Sequence, residues 1–127
     1  MLKDRSSSAI VAVSDIARAR TFYEDTLGLT LIDSNAEAGV LAFRTGDTQL
    51  TVYQSEFAGT NKANAVTWDM KGDIVAVVDD LRAKGVTFEH YPDMGMTLNG
   101  DIHEAGPAKL VWFKDPDGNI LHLIEGM

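Results

Sequence analysis

Trp112-Phe113-Lys114-Asp115-Pro116-Asp117-Gly118-Asn119-Ile120-Leu121-His122-Leu123-Ile124 is the stretch whose reading decides how the rest of this chain folds. Aromatic and β-branched residues on both flanks favour extended backbone. Between them, Pro116 suits a turn position with φ near about −65°, and Asp117-Gly118-Asn119 supplies residues that tolerate positive φ. The stretch reads as strand, tight turn, strand. Alternation along the second strand puts Ile120, His122 and Ile124 on one face and Leu121 and Leu123 on the other. A lone imidazole between two isoleucines on one sheet face is therefore the first candidate functional group.

Upstream of this hairpin lies a long Met- and Gly-bearing segment, Pro92 to Pro107, read as a loop of a length that suits function. Before it, Val86 to Tyr91 reads as a strand. Ile74, Val77, Val78 and Leu81 give the i, i+3, i+4, i+7 stripe of a helix closed by Lys84-Gly85, and Ala65 to Met70 reads as a strand. The same order occurs once already. Ala9 to Val13 is a strand, and Asp15 is placed to cap a helix carrying Ile16, Ala19, Tyr23 and Leu27, which Gly28 ends. Leu29 to Asp33, Val40 to Arg44 and Gln49 to Tyr53 are strands, the last two joined by a Thr45-Gly46-Asp47 turn. The chain is two copies of strand-helix-strand-strand-strand: module one over about 8–54, a linker over 55–63 and module two over about 64–125. Each copy alone offers one helix and four short strands, too little apolar surface for independent stability. The predicted fold class is α+β, with two βαβββ modules whose mixed sheets form a concave cleft and whose helices lie outside.

Composition sets the outer limits. The 127 residues are 45% hydrophobic and 24% charged, with a net charge of −8, which argues against nucleic acid as a partner. Through its long-range field that charge favours neutral or cationic ligands, although its commonest role is solubility. No apolar run approaches the roughly 20 residues needed to span a bilayer, so no membrane partner is expected. The absence of cysteine and the polar stretch from Met1 to Ser8 are read as cytoplasmic.

Val11-Ala12-Val13-Ser14-Asp15-Ile16, Phe22-Tyr23, Leu27-Gly28-Leu29 and the closing Phe113-Lys114-Asp115-Pro116-Asp117-Gly118-Asn119 together resemble the vicinal oxygen chelate superfamily, which includes glyoxalase I, bleomycin-resistance proteins and extradiol dioxygenases. The resemblance spans roughly residues 8 to 125 and implies a single glyoxalase/bleomycin-resistance-like domain, often a homodimer. In metal-dependent members a divalent ion is held by His, Gln or Glu on the first and last strands of the modules. Counting from the motifs places those positions at Ser8, Thr51, Ala65 and His122. A catalytic zinc or iron site needs about three His, Asp or Glu ligands, and this quartet supplies one. The resemblance with that donor set predicts no metal and no cofactor.

Strand alternation assigns Ser8, Ile10, Ala12, Gln49, Thr51, Tyr53, Thr67, Asp69, Leu110, Trp112, Ile120, His122 and Ile124 to the inner faces. Apolar walls with a few orienting polar groups suit an organic small molecule. The expected ligand-binding residues are His122, Thr51, Tyr53, Asp69, Trp112 and Gln49, with Trp112 as the stacking group and Trp68 in the core. His122 is also the candidate catalytic residue: a general base, alone or with Asp69 as a His–Asp dyad, against the plain alternative of a structural histidine bonded to Asp69, Thr51 or Tyr53. His103 is expected to be a solvated loop residue and His90 to end the sixth strand at the surface, with Met94, Met96 and Met127 either an adaptable wall for an apolar ligand or, more commonly, plain filler. The function these residues favour is a metal-free small-molecule-binding protein of the bleomycin-resistance/glyoxalase-like kind. The rivals are a metal-dependent lyase, isomerase or dioxygenase, with His103, Glu104 and His122 as the ligand set to suspect, a metal-free isomerase or hydrolase using His122 as base, and a purely structural or regulatory module whose cleft is filled by side chains.

Overall fold

The structure, a computed structural model, describes residues 1–126 and divides into two compact units, Met1–Thr60 and a second from Asn61 onward. Met127 lies outside the described residues. No helix among those described is long and apolar enough to cross a membrane.

In the first unit, β1 (Ala9–Val13) leads into α1 (Ile16–Arg20), which widens into a π-helical turn over Thr21–Thr26. Then come β2 (Thr30–Asn35), β3 (Val40–Thr45) and β4 (Thr48–Gln54). The Asp15 carboxylate accepts from the Arg18 backbone N–H at 3.0 Å, the expected cap. The helix differs from its sequence reading: the Leu27 N–H donates to the Phe22 carbonyl at 2.9 Å, five residues back, so the last turns are wider than α. The sheet order is β1-β4-β3-β2, with β1 parallel to β4 and the other pairs antiparallel. Val11, Val13, Leu41, Phe43, Leu50 and Val52 share one buried face with Ala19 and Tyr23 of the helical segment. On the other face Ile10 sits beside Thr51 and Ala12 beside Tyr53.

The second unit runs β5 (Asn64–Asp69), α2 (Ile74–Ala83), β6 (Phe88–Glu89), β7 (Thr97–Asn99), β8 (Ile102–Ala105), β9 (Ala108–Lys114) and β10 (Ile120–Glu125). Its sheet order is β5-β10-β9-β8-β7, with β6 also paired to β9 and β5 parallel to β10. Ile74, Val78 and Leu81 bury the α2 stripe. Among the described residues the Asp73 side chain makes no cap; the Ile74 N–H donates instead to the Glu125 carboxylate of β10 at 3.0 Å.

Two expectations need correction here. The predicted strand over Val86 to Tyr91 shrinks to Phe88–Glu89. The predicted loop from Pro92 to Pro107 is largely a hairpin, β7 and β8, closed at Gly100-Asp101 with Gly100 at φ 62°. Asn99 followed by Gly100 is a strong hairpin signal, but flanks of three and four residues are too short for alternation to register. The organising turn is as read, and its anchor is Asp115. That buried carboxylate accepts from the backbone N–H groups of Asp117 (3.0 Å) and Asn119 (2.9 Å) and from the Asn119 side-chain amide (2.8 Å). This closure fixes the register in which His122 faces Trp112.

Candidate functional site

Register places the second unit's site group. His122 pairs with Trp112 on one side and Thr67 on the other, and Ile124 pairs with Leu110 and Asp69, so all six side chains share a sheet face. The His122 ring lies flat on Trp112, centroids 4.6 Å apart with 16° between planes. Both residues are nearly covered, at 7% and 5% exposure. Nδ1 of His122 donates to the Val111 carbonyl at 3.0 Å. A carbonyl can only accept, so Nδ1 carries the proton and the neutral ring keeps its lone pair on Nε2. Burial lowers the His122 pKa below the ordinary imidazole value, with the Val111 bond opposing part of that shift. At neutral pH the residue is an uncharged acceptor. It lines a groove of about 320 Å³ walled chiefly by Ala65, Val66, Leu110 and Ile124, with Thr67 at its side.

The sequence-derived candidates divide between the units. His122 and Trp112 are brought into contact. Asp69 lies on the same face but is exposed, and its carboxylate accepts from the Lys71 N–H at 3.0 Å; among the described residues it makes no hydrogen bond to His122, so the His–Asp dyad does not form. Gln49, Thr51 and Tyr53 follow one another along the open face of β4 in the first unit, Thr51 half-buried and the other two exposed. Trp68 is only half-buried on the opposite face from His122.

His103 reverses its expectation. It is 1% exposed, on β8 beside Leu110, with its ring edge-on to Trp112 at 4.9 Å. Its Nε2 accepts from the Tyr91 backbone N–H at 2.9 Å, which leaves the proton on Nδ1, and among the described residues Nδ1 makes no hydrogen bond of good geometry. Burial lowers its pKa. The signal that would have found it is the Gly100 turn, since a strand there carries His103 onto the Trp112 face. His90 is exposed, as read, and bonds Asp101, whose carboxylate also takes Arg82; these two contacts hold the Asp101 pKa low, the arginine contributing most.

The donor set is a poor match for a divalent ion. Ser8, Thr51 and Ala65 offer two hydroxyls and a methyl, so the four positions together supply one imidazole nitrogen, the Nε2 of His122. The rival set does not gather either, because Glu104 alternates to the face opposite His103 and takes the Asn99 amide. Among the described residues no three His, Asp or Glu side chains are placed to hold a metal.

Two βαβββ units, the second with an inserted hairpin, define an α+β protein of the glyoxalase-like kind. The chain belongs to the Glyoxalase/Bleomycin resistance protein/Dioxygenase superfamily, whose family model matches residues 5–123. It is 25% identical to the virulence protein STM3117 of Salmonella typhimurium over 130 residues, covering 97% of this chain and 85% of that one. Among solved structures, the fosfomycin resistance protein FosX of Listeria monocytogenes is similar at a TM-score of 0.76 and 14% identity, over 98% of this chain and 93% of that one. FosX has also been solved complexed with Mn(II) and sulfate. A lactoylglutathione lyase of Agrobacterium tumefaciens is similar at 0.73 and 16% identity, covering 97% and 94%. At these identities the two structures share the fold with this chain.

Proposed function

We propose that this chain is a metal-free member of its superfamily that binds an organic small molecule on the His122 face of the second unit, and that it works in the cytoplasm as a homodimer. The observation that carries the reading is the neutral His122, fixed by Val111 and stacked on Trp112, lining an apolar groove. A fixed acceptor among apolar walls orients a ligand that donates one hydrogen bond. Thr67 supplies a second polar contact. The test is metal content of gently purified, tag-free protein, followed by melting-point titrations with Mn(II), Zn(II) and Fe(II) and with a panel of aromatic and aliphatic small molecules. A ligand at 100 times its Kd should stabilise by about 2.7 kcal/mol. Saturable stabilisation by an organic compound, lost in His122→Ala, supports the proposal. One tightly held ion per chain, also lost in His122→Ala, would overturn it.

The same observation favours a second reading, a metal-free isomerase or hydrolase. With Nδ1–H held by a carbonyl, Nε2 has the lone pair with which to take a proton from a bound substrate, and the Val111 carbonyl stabilises the imidazolium that results. Once a substrate is found, this reading requires His122→Gln to lose turnover while keeping affinity within a few-fold. Unchanged turnover would remove it.

A further inference from the structure

A second groove, of about 210 Å³, opens on the same sheet face. Lys62, Asn64, Tyr91, Met94, Trp112 and Ile120 line it. It shares Asn64 with the His122 groove, and Trp112, which walls it, is the residue on which His122 stacks. Tyr91 and Trp112 stand nearly perpendicular, centroids 5.2 Å apart, so the groove offers an aromatic corner with the soft Met94 thioether as a third wall. Lys62 is the one charged residue lining either groove among the described residues.

The environment of that lysine matters more than the net charge of −8. Lys62 has no ion-pair or hydrogen-bond partner among the described residues, although the chain carries 19 acidic side chains. The carboxylate in register with Trp112, Glu89, is held by Lys114 at 3.0 Å. Asp101, farther along, is held by Arg82 and His90. Lys62 is therefore an unpaired positive charge at the groove of a molecule that is negative as a whole, and exposed charges farther than about 10 Å are screened at ordinary salt.

We infer that the two grooves form one elongated site for an amphiphilic organic anion: a hydrogen-bond-donating end at His122 Nε2, a flat apolar body along Trp112 and Tyr91, and an oxyanion paired with Lys62. This rests on the proposed ligand-binding reading and adds the ligand class. It reverses the expectation drawn from net charge that a neutral or cationic ligand would be favoured.

The test uses p-hydroxyphenyl alkanoates from the acetate to the hexanoate, each with the alcohol and the amine of the same length, titrated into the full chain by calorimetry at low salt. The phenol donates to Nε2 and the chain length scans the span to Lys62. At its best length the carboxylate should bind about three- to ten-fold more tightly than the alcohol, and the amine more weakly than either, the size set by one exposed charge-assisted contact. Raising the salt should shrink the preference. Lys62→Met should bring acid and alcohol to equal affinity, and Lys62→Arg should restore the preference. Equal binding of acid and alcohol at every length, preference for the amine, or a preference that survives Lys62→Met overturns the anion assignment while leaving the His122 groove as a binding site. If no probe of any charge binds and none stabilises the fold, both readings fail together.

Discussion

Asp115 is the residue whose removal tests the structural argument most directly. Its carboxylate holds two backbone N–H groups and one side-chain amide in the turn that sets His122 opposite Trp112. In Asp115→Ala the buried Asn119 loses the acceptors for both its backbone N–H and its amide, while the half-buried Asp117 N–H can turn to water. A buried donor left unmade costs about 1–3 kcal/mol, and a water-accessible one much less. The sum is about 3 kcal/mol, a fall in melting temperature on the order of 10 °C for a chain of this length. Asp115→Asn keeps one oxygen for the two backbone donors and gives up the acceptor of the Asn119 amide, so it should cost about 1 kcal/mol. Urea unfolding followed by tryptophan fluorescence at neutral pH measures both. A loss under about 1 kcal/mol in the alanine variant, or equal losses in the two, would refute the view that this carboxylate closes the hairpin.

Three further outcomes are expected. Burial lowers the pKa of both His103 and His122, so each binds its proton more weakly folded than unfolded. The stability this represents is complete above the unfolded value near about 6.5 and is lost as pH falls below it toward the folded values. Unfolding midpoints should therefore drop as the pH falls below about 6.5, and His103→Phe and His122→Phe should each flatten that slope; an unchanged slope in both would contradict the burial account. Glu125→Ala removes the acceptor at the start of α2 and should cost about 1 kcal/mol by urea denaturation, with Glu125→Gln losing less than half of that. Lys71 holds φ 50° in the turn before α2, so Lys71→Gly should raise stability by about 0.5–1 kcal/mol, and a measured loss would show that the lysine side chain is held by a contact the backbone angle does not reveal.

The repeat, the strand faces and the closing turn were legible in the chain because each rests on local physics. A period of two separates Ile120, His122 and Ile124 from Leu121 and Leu123 whatever lies around them, and the burial of Leu121 and Leu123 follows. Gly28 and Gly85 end helices, at φ 74° and 90°, because no other residue adopts that backbone as cheaply. The resemblance carried by the opening and closing motifs likewise depends on short spacings. The tertiary structure alone decided what His122 touches. Its Nδ1 bond to the Val111 carbonyl and its stack on Trp112 depend on which residue of β9 lies opposite, and cross-strand register is a long-range property. The same holds for His103. In sequence it is a polar residue in a glycine-bearing segment; folded, pairing of β8 with β9 buries it against Trp112. A residue's periodicity is written in its neighbours along the chain, whereas its burial and its hydrogen-bond partner are set by the strand that comes to lie beside it.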